Sequence, residues 1–147
     1  MEGEQAPVVS GVDQYGKKID LADVLGKKSL ILFFYPKDFT SGCTKEVCSF
    51  RDSSEDFKAL GAEIIGVSSD SEESHKSFAE QNNIRFSLLA DGDGAIRKAY
   101  KVPKGLLGLA PGRVTYVING EGKIVKIFNS MFDISSHIAE AKKALEA

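Results

Sequence analysis

Leu30-Ile31-Leu32-Phe33-Phe34-Tyr35 runs into Pro36-Lys37-Asp38-Phe39-Thr40-Ser41-Gly42, and then into Cys43-Thr44-Lys45-Glu46-Val47-Cys48-Ser49-Phe50. The opening run is apolar at six consecutive positions, the pattern of a central strand covered on both faces. Pro36 ends it, because proline lacks the N–H that a sheet ladder needs. Beyond the turn, Cys43, Val47, Phe50, Phe57 and Leu60 recur at helical spacing, with Gly61 as the stop. A buried strand that feeds a helix through a short polar turn is the unit from which layered α/β domains are built.

The rest of the chain extends that unit. Val8–Val12 and Lys17–Leu21 flank the turn-forming Asp13-Gln14-Tyr15-Gly16 and predict an N-terminal β-hairpin. Ile64-Ile65-Gly66-Val67-Ser68 predicts the next strand. A helix is expected over Glu72–Gln81 with Ser71 as its cap, then a short strand at Phe86–Leu89 and a small helix around Ala95–Tyr100. Val114–Ile118 and Lys123–Phe128 bracket Asn119-Gly120-Glu121-Gly122, a hairpin signal. Ser135 or Ser136 is expected to cap a closing amphipathic helix on Ile138, Ala141 and Leu145. Strand–helix–strand units followed by a hairpin and a helix describe a central mixed β-sheet flanked by helices, for which the thioredoxin-like fold is the economical match.

Composition excludes several classes of function. At 147 residues the chain is expected to be a single domain, 1–147, with room for a core that needs no staples. Nineteen basic against twenty-one acidic residues give a net charge of -2, so no basic patch points to nucleic acid or an anionic membrane. The longest apolar run is far short of the roughly 20 residues that span a bilayer. The start Met1-Glu2-Gly3-Glu4-Gln5-Ala6 is acidic and lacks the apolar core of a signal peptide. The expected location is therefore the cytoplasm, or a plastid if this is a mature form whose transit peptide was removed.

Cys43 and Cys48 are the only two cysteines. Both fall in one motif, which fits catalysis or metal binding better than a disulfide framework. Cys43 stands where the helix should begin, and unpaired N–H groups with the helix dipole favour a thiolate there. Thr40, three residues earlier, can turn its hydroxyl toward the sulfur, and Pro36 can shield it from water. Glu46 lies three residues on and could orient a cation, for which Arg113, after Gly108-Leu109-Ala110-Pro111-Gly112, is the candidate. Residues five apart on a helix stand too far from each other for a bond, so a disulfide between the two thiols would require the helix to unwind.

Pro36-x-x-x-Thr40-x-x-Cys43 matches the peroxiredoxin active-site motif. Phe34–Asp38, Cys48-Ser49-Phe50-Arg51-Asp52, Gly61–Ser68, Gly105-Leu106-Leu107-Gly108 and Pro111–Ile118 closely resemble the peroxiredoxin Q group, also called the bacterioferritin comigratory protein group. The resemblance covers nearly the whole chain. It implies a thiol-dependent peroxidase in which Cys43 is the peroxidatic cysteine and Cys48 the resolving one. Thr40 and Arg113 would bind the peroxide oxygens, and Pro36 would shield the site. The implied substrate is hydrogen peroxide or an organic hydroperoxide, and the implied reductant of the Cys43–Cys48 disulfide is thioredoxin or a similar dithiol protein. No cofactor or metal is implied, and a monomer is expected. Ser41 stands where many relatives carry a second proline, which loosens the turn without removing a catalytic group.

Three other readings compete. Cys48 could be a packed residue beside a one-cysteine mechanism, since free cysteine often behaves as a small hydrophobe. The two cysteines could join His75 and His137 in a metal-binding module, although four intervening residues strain the usual zinc spacing and no second pair follows. A disulfide reductase would use Cys-x-x-Cys, which is absent. His75 and His137 are expected on polar helix faces at the surface, and Asp91-Gly92-Asp93-Gly94 as a turn rather than a calcium loop. Phe39, Leu106, Leu107 and Leu109 are the apolar candidates for the wall of a substrate route.

Overall fold

The structure is a computed structural model that describes residues 2–102, 104–105, 110–130 and 133–146. The apolar run forms β3, Ser29–Phe34, at the centre of the sheet. To one side it pairs in parallel with β4, Ala62–Ser68, which pairs in parallel with β5, Ser87–Ala90. The hairpin β1, Ser10–Val12, and β2, Lys18–Asp20, extends that side antiparallel. On the other side β3 pairs antiparallel with β8, Val114–Ile118, and β8 with β9, Ile124–Asn129. The seven strands lie in the order β2-β1-β5-β4-β3-β8-β9. Two-residue strands β6, Lys104–Gly105, and β7, Ala110–Pro111, pair separately. This is the mixed sheet and N-terminal hairpin expected from the pattern of runs and turns.

Alternation along β3 divides the core. Ile31, Phe33 and Tyr35 face one layer, with Cys43, Val47, Phe50, Phe57, Phe78, Ile138 and Ala141. Leu30, Leu32 and Phe34 face the other, with Leu21, Ile96, Tyr100 and Tyr116. Gly66 sits opposite Phe33 in the ladder. A Cβ there would lie 2.7 Å from Phe33 Cζ, so only glycine admits the ring that floors the site-bearing layer.

The helix predicted to run unbroken to Leu60 is two helices. α1 spans Ser41–Asp52 and α2 spans Ser54–Ala59, with Ser53 at φ −96 and ψ 3 between them. The chain re-aims there so that Phe57 stays buried, while Leu60 is left exposed. Gly61 then turns at φ +75, a conformation glycine takes without strain.

α3 is Glu72–Asn82, capped by Ser71 Oγ accepting from Ser74 N at 3.1 Å. α4 is Ala95–Ala99, preceded by a turn in which Asp91 accepts from Ile96 N and Arg97 N at 2.9 and 3.0 Å. α5, Ile134–Glu146, starts ahead of the serines expected to cap it. Ser136 is inside the helix and its hydroxyl donates to Asp133 at 2.7 Å.

Candidate active site

β3 and α1 place Cys43 by geometry that the sequence makes local. The strand ends at Phe34, Tyr35 still donates its N–H to Val67 O at 3.1 Å, and the chain turns back through Pro36–Thr40. Phe39 takes φ +65 at the turn and lies against Phe78 edge-on at 5.2 Å. Cys43 is the third residue of α1 and is 1% exposed. Its Sγ accepts from Lys37 N at 3.5 Å and from Arg113 Nη2 at 3.4 Å. Both donors stabilise a sulfur that carries negative charge.

Arg113 enters from the residue before β8. It is 4% exposed, and its Nη1 donates to Glu46 Oε1 at 2.5 Å. Gly42 permits this approach, since a Cβ on it would stand 3.3 Å from Arg113 Nη2. Burial pulls the guanidinium's affinity for its proton down, but the Glu46 carboxylate and the Cys43 sulfur raise it above the ordinary value. Burial pushes Glu46 up to about 7 against the opposing pull of Arg113. Cys43, Glu46 and Arg113, all named from the sequence, thus meet in one buried triangle.

The other named residues stand around it. Thr40 occupies the N-cap position of α1, but its hydroxyl makes no capping bond and donates to Lys37 O at 2.8 Å. Its carbonyl accepts from Thr44 N at 2.8 Å. Pro36 is half-buried at the foot of the turn. Cys48, half-buried on another face of α1, donates to Asn82 Oδ1 at 3.5 Å, and both thiols are free. Leu106, Leu107 and Leu109 lie outside the described residues, while Phe39 is exposed.

The two histidines correct the sequence expectation, because each is fully buried. His75 shares a helix face with Phe78 and Ala79, and His137 lies on the face of Ile134, Ile138 and Ala141. The neighbours at i+3 and i+4 of His75, and at i−3 and i+4 of His137, are apolar, which was the available signal. His75 Nδ1 meets Asp38 Oδ2 at 2.6 Å, and Nε2 donates to Leu89 O at 3.0 Å. Asp38 also accepts from Tyr35 Oη at 2.6 Å and Ser74 Oγ at 3.0 Å. Its N–H donates to Asp70 Oδ2 at 2.8 Å. Asp38 therefore ties the turn that carries Lys37 N to α3 and to the end of β4.

On the opposite side, His137 Nε2 donates to Ser130 O at 2.7 Å and Nδ1 meets Thr115 Oγ1 at 2.8 Å. His137 Nδ1 is 3.6 Å from Glu46 Oε2, and burial lowers its affinity for a proton. Among the described residues, Asp38, Asp70 and His75 form the cluster with metal-like spacing. It contains neither cysteine, and its polar atoms are occupied by one another and by Ser68, Ser74 and Tyr35.

The AhpC/TSA family pattern matches residues 3–127, which hold the strand, the turn, α1 and Arg113. The chain belongs to the AhpC/TSA family. Within it the sequence falls in the peroxiredoxin Q group. Peroxiredoxin Q, chloroplastic, of Sedum lineare is 42% identical over 146 residues, spanning 99% of this chain and 78% of that protein. The chloroplastic peroxiredoxin Q of Arabidopsis thaliana is 44% identical, over 99% and 67%.

Among solved structures, peroxidoxin BcpB of Mycobacterium tuberculosis superposes with a TM-score of 0.90 at 33% identity, covering 99% and 96% of the two chains. A structure of the Xanthomonas campestris bacterioferritin comigratory protein, solved to study its alkyl peroxide reduction activity, gives 0.84 at 31% identity, over 94% and 90%. The fold is that of the thioredoxin-like peroxiredoxins, and this peroxiredoxin is a thiol peroxidase that takes a peroxide as substrate and a thiol as reductant. No helix among the described residues is long and apolar enough to cross a membrane.

Proposed function

We propose that Cys43 is the peroxidatic cysteine, that Cys48 resolves it, and that thioredoxin or a similar dithiol protein reduces the resulting Cys43–Cys48 disulfide. One observation carries the reading: the buried Cys43 sulfur lies within hydrogen-bond reach of Arg113 Nη2 and Lys37 N at the start of α1. A lone pair of the Cys43 thiolate attacks the terminal peroxide oxygen, and the O–O bond breaks. The departing oxygen leaves with the bonding electrons and takes a proton. Sulfur is oxidised by two electrons to sulfenic acid as the peroxide is reduced to water or an alcohol. Arg113 and Thr40 bind the peroxide oxygens in this reading, and the guanidinium also stabilises the developing charge. Pro36 limits water at the sulfur, and Glu46 holds Arg113. The Cys48 thiol then attacks the sulfenic sulfur, expels water and closes the disulfide.

Hydrogen peroxide and organic hydroperoxides both present the bond that is broken. The alkyl peroxide activity named for the Xanthomonas campestris protein supports the wider substrate range. We infer further that residues 1–147 act as one domain and as a monomer. The compartment is plastid or cytoplasm, the former supported by the chloroplastic relatives.

The test is steady-state peroxide reduction with thioredoxin, repeated on Cys43→Ser and Cys48→Ser. Cys43→Ser should abolish turnover. Cys48→Ser should allow one oxidation per chain and then stall with thioredoxin as reductant. Near-normal activity of Cys43→Ser would overturn the assignment. Full thioredoxin-supported turnover of Cys48→Ser would show a one-cysteine mechanism with Cys48 structural.

A further inference from the structure

The buried triangle has one cation for two acids. Arg113 donates through Nη1 to Glu46 and through Nη2 to Cys43, and all three are at most 4% exposed. A buried charge without its own partner is costly, so two full anions on one guanidinium leave one uncompensated.

The second carboxylate oxygen marks where the proton goes. Glu46 Oε2 is buried and has no hydrogen-bond partner among the described residues. A carboxylate there would have its charge stabilised through Oε1 alone in a dry site, which favours the neutral acid whenever Arg113 has another anion to hold. The nearest basic atom is His137 Nδ1, at 3.6 Å. Its Nε2 must carry hydrogen because it faces the Ser130 carbonyl, and its Nδ1 lone pair takes the Thr115 hydroxyl at 2.8 Å, so the neutral ring brings no second positive charge to Glu46. The titratable groups facing Glu46 are Cys43 on its own helix, Arg113 before β8 and His137 on α5, with Asp133 acting on His137.

We propose that Glu46 is a proton store that keeps the charge of the site constant through the oxidation of Cys43. In the reduced enzyme the thiolate is the anion on Arg113 and Glu46 is the neutral acid. When sulfur becomes a neutral sulfenic acid, Glu46 releases its proton and takes over the guanidinium. The balance is thiolate, hydroperoxide and Glu46 carboxyl giving sulfenic acid, alcohol or water, and Glu46 carboxylate. Charge is −1 on both sides apart from Arg113, and the proton that the departing oxygen takes is matched by the one Glu46 gives up. The position of Glu46's proton beside Arg113 fits its burial-raised affinity. Glu46 is a positioning residue here, since it does not touch the peroxide.

This rests on Cys43 being the reacting thiol, and the test separates the two. Proton uptake is followed with an indicator dye at pH 7 during a single turnover of the reduced enzyme with hydrogen peroxide, beside the count of thiols oxidised. All the proteins compared carry Cys48→Ser, so the reaction stops at the sulfenic acid and the unwinding of α1 that disulfide closure requires does not disturb the count. The protein that keeps Glu46 should take up well under one proton per Cys43 oxidised, and Glu46→Gln, which keeps an oxygen for Arg113, about one full proton. A full proton in both proteins, or none in either, would overturn the proposal, while failure of Cys43 to oxidise at all would overturn the assignment beneath it.

Infrared difference spectra of the Cys48→Ser protein need no change at Glu46. They should show a protonated-carboxyl band lost on oxidation, and no such loss would also overturn the store.

Discussion

Replacing His75 by Ala tests whether the turn beside Cys43 is held from α3. The imidazole spans Asp38 Oδ2 at 2.6 Å and Leu89 O at 3.0 Å, and neither Asp38 nor His75 has exposed side-chain surface. Removal leaves a buried carboxylate supported only by the hydroxyls of Tyr35 and Ser74 and takes a donor from the Leu89 carbonyl. Breaking a buried pair by deleting one partner costs about 3–5 kcal/mol. For a domain of this size each kcal/mol lowers Tm by about 2–4 °C, so the fall should be about 6–20 °C.

Thermal unfolding of the reduced protein, followed by circular dichroism at neutral pH, reads this directly. The double variant Asp38→Asn/His75→Ala removes the charge as well as its partner. It should lose less than the sum of the single losses, by roughly 0.5–3 kcal/mol. The Lys37 N–H reaches the Cys43 sulfur from the residue next to Asp38, so His75→Ala should also slow the peroxide step. A Tm change under about 2 °C, or strict additivity in the double variant, would refute the clamp.

Arg113→Ala should slow the bimolecular reaction with peroxide by about a hundredfold or more, the scale of losing a preorganised donor. An unchanged rate would show that the guanidinium does not act on the reacting atoms. Cys43 and Cys48, five apart in α1, have Cα atoms about 8.7 Å apart by helix geometry, whereas a disulfide needs about 7 Å or less. Oxidation should therefore unwind the first turns of α1, and amide exchange over residues 40–51 should accelerate in the disulfide form. Equal protection in both redox states would rule the mechanism out.

The sheet was legible because its cause is local. Six apolar residues at 30–35, period-two runs and Asn119–Gly122 each dictate a conformation with little help from elsewhere. The break at Ser53 was not, because Phe50 and Phe57 keep a helical spacing that either one helix or two can satisfy. In the site, Cys43 and Glu46 were readable together, since i and i+3 share a helix face. Arg113, 70 residues from Cys43, has no such tie to it and rested on resemblance to a known motif.

The histidines show what kind of information a polarity pattern discards. Treating a polar residue as outward-facing is sound when the residue has nothing to bond inside, and both rings do have partners. Each is the one polar member of an otherwise apolar face, His75 beside Phe78 and Ala79, His137 beside Ile138 and Ala141. A polar group enters such a face only with partners for its nitrogens, and the partners come from distant chain: Asp38 and Leu89 for one, Thr115 and Ser130 for the other. Those partners border the same two structures, the Lys37–Thr40 turn and the Arg113–Glu46 pair, that meet at Cys43. A thiolate in a dry pocket needs its donors and countercharge fixed in advance, and fixing them requires further buried polar groups behind them. The breaks in the hydrophobic pattern thus gather around Cys43 because its chemistry creates the demand for buried polarity.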